Sequence, residues 1–325
     1  MSRARALACP ASLKGVLGAF EAAAALAMGL RGAGVEVDEV PIADGGEGTA
    51  AVLQRALGGE WQWSRVSDPL GRPVSARWLR LPDGTAVVES AEAIGLGRVA
   101  ADERDPLRAT SRGLGELIAD ALSHKPFSLI VCLGGSATID GGSGMLEVLR
   151  SLAVSTRVLC DVRSPLHGER GAARLYGPQK GASPEAIVEL ERRLGARSDL
   201  APYAGVPGAG AAGGLGAAFA ALGAELAPGA EAVLGLVGFR GRLGGSSLAV
   251  TGEGTVDRST AEGKAPAAVL EECRSAGVRC AIFGGRLVEP LAGAELYELS
   301  GVPARAAADL ESLGERLGRS LAASR

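Results

Sequence analysis

Five short segments set glycines beside one or two charged or hydroxyl side chains: 11–15 (ASLKG), 43–49 (ADGGEGT), 134–142 (GGSATIDGG), 177–182 (GPQKGA) and 252–264 (GEGTVDRSTAEGK). Each reads as a strand end, then glycines, then a helix. Glycine lets a backbone approach an anion, and a helix N-terminus adds unpaired N–H groups and partial positive charge. One such segment is a common connector, whereas five in one chain predict a site for a small anionic ligand. In open α/β sheets these loops gather at the carboxyl ends of strands.

The cations sharpen this reading. Basic residues divide into 30 Arg and only 4 Lys, and Lys14, Lys180 and Lys264 all fall inside the five segments. Only Lys125 sits in an ordinary helix-to-strand turn. A chain that writes its solvated cations as arginine keeps lysine where a compact point charge is useful. The acids of the same segments are Asp44, Glu47, Asp140, Glu253 and Asp257, joined by Asp68 and by Asp161 at the end of the run VLCD. Acids beside phosphate-cradling glycines fit Mg²⁺ binding plus a base that accepts a hydroxyl proton. Each acid alone is equally a helix cap or turn residue, so spacing does not separate base from metal ligand.

Several chemistries are excluded. His124 and His167 are the only histidines and have no ligand-spaced partner, and neither Ser136 nor Ser143 lies in a G-x-S-x-G elbow. The stretch 208–213 (GAGAAG) satisfies G-x-G-x-x-G but follows APYAGVP, which is no strand, so a dinucleotide fingerprint is rejected. Gly263-Lys264 fails the Walker pattern, with Arg258 at the first glycine position and Ala265 in place of the hydroxyl residue. A net charge of −3 with dispersed charges argues against nucleic acid, and no apolar run approaches the roughly 20 residues of a membrane span. Five singly placed cysteines read as buried thiols of a cytoplasmic protein. Self-association is left open.

The elements that must position these groups follow from periodicity. With 325 residues, two α/β domains are expected. Short apolar runs at 7–9, 35–42, 127–133, 247–251 and 278–283 predict strands, and the patterns at 16–31, 49–57, 182–195 and 265–276 predict helices. Residues 61–90 alternate around GRP and PDG turns, predicting an antiparallel portion. Residues 205–216 predict a Gly/Ala loop feeding a helix. Ala (59) and Gly (49) make a third of the chain, so the core must be tightly packed.

In order, ASLKG, ADGGEGT, DPLGRPV, GGSATIDGG, DVRSPL, GPQKGA, GAGAAGGLG and GEGTVDRSTAEGKAP resemble the type I glycerate kinase family from Pro10 to about Pro266. The resemblance implies transfer of the γ-phosphoryl group of MgATP to D-glycerate. It also implies a Rossmann-like parallel-sheet α/β domain built from both chain ends (1–66 and 240–325), with a second α/β domain (67–239) inserted and the site in the cleft between them. On that reading Lys14, Asp44, Asp140, Asp161 and Lys264 are catalytic. Ser12, Gly45, Gly46, Glu47, Gly134, Gly135, Ser136, Lys180, Gly213, Gly214, Glu253 and Asp257 bind substrate or nucleotide, and Asp44 with Asp257 hold Mg²⁺. The chain departs from the family pattern at Ala11, Ile139, Ser164 and Ser259, and between Leu149 and Asp161 it is shorter. No Asn occurs anywhere, so two of these changes, at Ile139 and Ser164, belong to a chain-wide bias. The alternatives are a kinase for another small hydroxy acid and a ligand-binding relative without turnover.

Overall fold

The computed structural model describes residues 4–261 and 263–323, without the side chains of residues 259 and 261. From the N-terminus the elements are β1 (Arg5–Ala8), α1 (Ala19–Gly32), β2 (Glu36–Glu39), α2 (Thr49–Leu57), β3 (Glu60–Ser67), β4 (Pro73–Arg80), β5 (Ala86–Glu89), α3 (Ser90–Ile94) and α4 (Arg112–Ser123). They continue as β6 (Ser128–Cys132), α5 (Ser143–Val148), β7 (Ser155–Cys160), α6 (Ala172–Tyr176), α7 (Pro184–Gly195), α8 (Ala211–Ala221), β8 (Glu225–Pro228), α9 (Gly229–Leu236) and α10 (Phe239–Leu243). β9 (Leu248–Val256), α11 (Arg258–Ala261), α12 (Ala265–Ala276), β10 (Arg279–Leu287), β11 (Glu295–Glu298) and α13 (Ala306–Ala323) complete the order.

The fold is mixed α/β and divides into two compact units, Met1–Asp44 with Ala230–Arg325, and Gly45–Gly229. The divisions fall at 44/45 and 229/230, where the sequence suggested 66/67 and 239/240. The physical reason lies in pairing: β3 matches β4 along its whole length, from Glu60↔Arg80 to Ser67↔Pro73. Glu89, at the end of β5, also binds the first turn of α2. Residues 45–66 therefore fold with the strands that follow them.

In the first unit five parallel strands run in the order β11-β10-β9-β1-β2. The short apolar runs supply central strands buried on both faces, as parallel sheets require. One face is covered by α1 and α13, with Leu26, Leu30, Leu310, Leu313 and Phe283 in the core. The two helices approach unusually closely. A Cβ at Gly29 would lie 1.9 Å from the Glu311 carbonyl oxygen, and one at Gly314 would lie 2.4 Å from that of Leu26. Much of the glycine and alanine content is thus packing scaffold.

The second unit holds the sheet β3-β4-β5-β6-β7-β8, antiparallel from β3 to β5 and parallel from β5 to β8. Its core gathers Trp78, Val88, Leu114, Ile118, Val131 and Phe219. Two expectations about the glycine segments change. β9 runs on to Val256, paired with β10 as far as Leu287, so Gly252–Val256 is strand rather than loop. GPQKGA follows a helix, not a strand, with Pro178–Lys180 forming a 3₁₀ turn between α6 and α7. All five cysteines are buried thiols. Among the described residues no helix is long and apolar enough to cross a membrane.

Candidate active site

In the first unit β1 leads through α1 to β2 on one side, and β9 leads through α12 to β10 on the other. The order in which successive strands are added therefore reverses between β1 and β9, and their carboxyl ends flank the crevice where open α/β sheets bind ligands. The segments 10–15 and 252–257 meet there. The Ala11 N–H donates to the Gly252 carbonyl at 2.9 Å, and Ile42 N–H donates to Pro10 O at 2.9 Å. A tight turn, with Leu13 N–H donating to Leu17 O and Gly15 at φ +74°, leaves Lys14 exposed at its tip and Ser12 half-buried.

Glu253 stands beside this turn. Its Oε1 accepts from Thr260 Oγ1 at 2.6 Å, and Thr260 Oγ1 accepts from the Asp257 N–H at 3.0 Å. Lys264 Nζ lies 3.5 Å from Glu253 Oε2, the lysine being the residue that precedes α12. Burial pushes the Glu253 carboxyl above its ordinary range, against the pull of Thr260 and Lys264, and the charge of Asp44 pushes the same way. Four of the expected residues, Asp44, Glu253, Asp257 and Lys264, are thus brought together. The side chain of Ser259 lies outside the described residues.

The second unit gathers a different set. The segment 134–137 is braced by Leu96 N–H to Gly135 O at 2.6 Å and Ala137 N–H to Ile94 O at 2.8 Å. Ser90 Oγ donates to Gly134 O at 3.0 Å. Gly46 passes so close that a Cβ on Gly134 would sit 2.6 Å from its Cα, while Gly45 packs on Leu159 and Gly229. Glu47 is exposed, with Oε2 3.2 Å from the position of a Cβ on Gly135. Lys180 is buried and donates to Ser136 Oγ at 3.0 Å and Thr138 O at 2.9 Å. Desolvation lowers its pKa to about 7, with the charge of Asp140 opposing.

Other expected residues have structural partners. Asp140 Oδ2 accepts from Ser111 N–H, Ser111 Oγ and Gly144 N–H, and its Oδ1 accepts from Gly142 N–H. Its carboxylate thereby ties the starts of α4 and α5 together. Asp68 closes the turn before β4 by accepting from Leu70 N–H, Arg72 N–H and Arg72 Nε. Burial works against the ionised Asp68, yet those bonds and the Arg72 charge hold its carboxyl below the ordinary range. Gly213 and Gly214, at φ +77° and +95°, are buried against the 138–141 backbone, where a Cβ on Gly213 would lie 1.9 Å from Thr138 O. Asp161, half-buried after β7, acts electrostatically on Cys160 and Tyr176. Ser164 contacts Tyr176 Oη at 3.0 Å, and Ile139 belongs to the core, so neither departure from the family pattern leaves an open gap.

Sequence reasoning missed Glu89 and Thr260. Glu89 is buried at the end of β5, and its oxygens accept the N–H groups of Ala50 at 2.6 Å and Gly48 at 3.2 Å. Burial raises its pKa to about 7, the two N–H groups opposing and the charges of Glu92 and Glu47 adding to the rise. It lines a cavity of about 300 Å³ with Glu47, Glu92 and Arg98. The only sequence signal was a charge ending the apolar run AVVE.

A family model described as the glycerate kinase family matches residues 6–151 and 148–312. "Glycerate 2-kinase" of Escherichia coli (strain K12) is 40% identical, with 80% of this chain and 79% of that one covered. "Glycerate kinase" of Bacillus subtilis (strain 168) is 38% identical, covering 82% and 81%. The crystal structure of a putative glycerate kinase 2 from Salmonella typhimurium LT2 superposes with a TM-score of 0.84 at 31% identity, over 99% of both chains. The chain belongs to the glycerate kinase family.

Proposed function

We propose that this chain is a cytoplasmic enzyme of the type I group that transfers the γ-phosphoryl group of ATP to the 2-hydroxyl of D-glycerate. The observation that carries the reading is the Glu253–Thr260–Lys264 cluster at the switch point between β1 and β9, in a chain of this family. The named regiochemistry of the Escherichia coli relative supports the 2-position.

Lys14 and Lys264 neutralise phosphate and carboxylate charge. Ser136, with the amide of Gly135, offers donors to oxyanions, and Lys180 holds that hydroxyl in place. Glu253 accepts the proton of the attacking hydroxyl, a role suited to a partly buried carboxylate with a raised pKa. The hydroxyl oxygen forms the new P–O bond as the bond to the β-phosphate oxygen breaks, and ADP leaves. Asp44 and Asp257 would hold Mg²⁺. Mg²⁺ commonly takes one or two carboxylates and completes its shell with waters and phosphate oxygens, which two aspartates would allow. When bound, the ion offsets the charge of the transferring phosphoryl group.

The test is an ADP-release assay with MgATP and D-glycerate, followed by ³¹P NMR of the product. Turnover with 2-phosphoglycerate as product is expected. Background ADP release from folded protein, or faster turnover with another hydroxy acid, overturns the assignment.

A further inference from the structure

Beside the switch point, and wholly within the first unit, lies a slot of about 220 Å³. Its walls are apolar: Leu13 and Val16 from the turn after β1, and Leu299, Val302 and Pro303 from the segment before α13. Val16 and Val302 are 42% and 48% exposed, although the unit has a closed core elsewhere. The floor is glycine backbone from Gly254, Gly285 and Gly301, where a Cβ on Gly285 would lie 2.9 Å from Gly254 O. No side chain rises from that floor, which leaves peptide edges as its polar groups. The charges at the rim are Arg286, exposed at the carboxyl end of β10, and Asp309, whose Oδ2 already accepts from Ser300 N–H at 3.0 Å.

These features select an occupant. Glycerate has a carboxylate and two hydroxyls but no apolar face, so it gains nothing from two valine walls. The slot is smaller than the roughly 300 Å³ at which pockets for whole drug-sized ligands begin, which suits one planar ring system rather than a complete nucleotide. Lys14 lies in the chain between the wall residues Leu13 and Val16, and its backbone N is 3.8 Å from the position of a Cβ on Gly254. With Arg286 on the rim, cations therefore adjoin an apolar slot. That combination matches a flat apolar head carrying an anionic tail.

We propose that this slot binds the base of the nucleoside triphosphate, held between Val16 and Val302 over the glycine floor, with the phosphates passing Lys14 toward Lys264. The inference rests on the reading of the chain as an ATP-dependent kinase and adds the place where the nucleotide is recognised. Because both valines are exposed, filling the slot from either wall leaves the core intact.

Isothermal titration with a non-hydrolysable ATP analogue and, separately, inorganic tripolyphosphate tests it without requiring turnover. Val302→Trp and Val16→Trp should each weaken the analogue at least tenfold, leave tripolyphosphate within twofold, and keep the wild-type Tm. In the kinase assay the same variants should raise KM for ATP and not for glycerate. Unchanged analogue binding in both variants overturns the slot. Equal weakening of analogue and tripolyphosphate also overturns it, because the loss would then lie in phosphate contacts. If the wild type binds the analogue through the slot but shows no turnover with glycerate, the acceptor assignment fails and the slot stands.

Discussion

The two units treat their charged groups in opposite ways. Around Glu253 in the first unit the charged side chains stay partly open to solvent. Lys264 and Glu253 keep 26% and 15% of their side-chain surface exposed, and their 3.5 Å separation is a loose ion pair. In the second unit Lys180 and Glu89 are buried, and Asp140 has four hydrogen-bond donors. Loosely held charge can exchange its partner for a ligand at small cost. Charge already saturated by backbone groups holds loops in shape, since removing one partner leaves the other buried and unpaired. The lesson is that lysine and acid in a glycine-rich segment do not by themselves mark chemistry; the number and kind of their partners do.

The largest effect that could break this contrast is on turnover. Lys264→Ala should lower kcat/KM about 10³-fold, equivalent to about 4 kcal/mol of transition-state stabilisation. Glu253→Gln should lower kcat about 10²-fold with little change in KM, as for loss of a proton acceptor. Both should melt within a few degrees of wild type. A variant that loses activity only in proportion to its stability would move the first unit's cluster into the structural class.

Much of this contrast was invisible in the sequence, for identifiable reasons. Helices 49–57 and 265–276 are legible in the sequence, because glycines and a proline punctuate a 3.6-residue pattern. Strand β9 runs five residues past the apolar run that predicts it, since GEGTV looks like loop; only its pairing with β10, from Gly252 opposite Phe283 to Val256 opposite Leu287, makes it strand. A Cβ on Gly252 would lie 2.3 Å from Phe283 O, so that glycine serves sheet packing rather than an anion. Asp140 was legible as a charged residue in a glycine segment. Its donors Ser111 and Gly144 come from elements whose meeting no local pattern encodes. Glu89 was missed for the same reason, its partners lying about forty residues upstream.

The next test separates Lys180 from the other two lysines. Its folded-state pKa, about 7, is below the ordinary lysine value of 10.5, so between those pH values the unfolded chain binds more protons and stability rises with pH. Relative to Lys180→Met, the wild type should gain about 3 kcal/mol between pH 7 and 9.5, measured by denaturant unfolding. Parallel curves for the two proteins would mean that Lys180 is solvated and available to a ligand.

Glu89 gives the smallest and most discriminating effect, with the opposite sign. Burial raises its carboxyl from 4.5 to about 7, so between those values the native state holds the proton that the unfolded state has lost. Stability from this group is fully present below pH 4.5 and is lost as pH rises through 7. Against Glu89→Gln, which keeps a neutral acceptor for the Gly48 and Ala50 N–H groups, the wild type should lose about 2 kcal/mol between pH 5 and 7. If Glu89 only shapes the 45–50 segment, the variant should retain kcat at pH 7 and lose only the pH slope in stability. A drop in kcat with an unchanged slope would instead place Glu89 among groups that meet the substrate, and a buried carboxylate of the second unit would then carry chemistry as well as architecture.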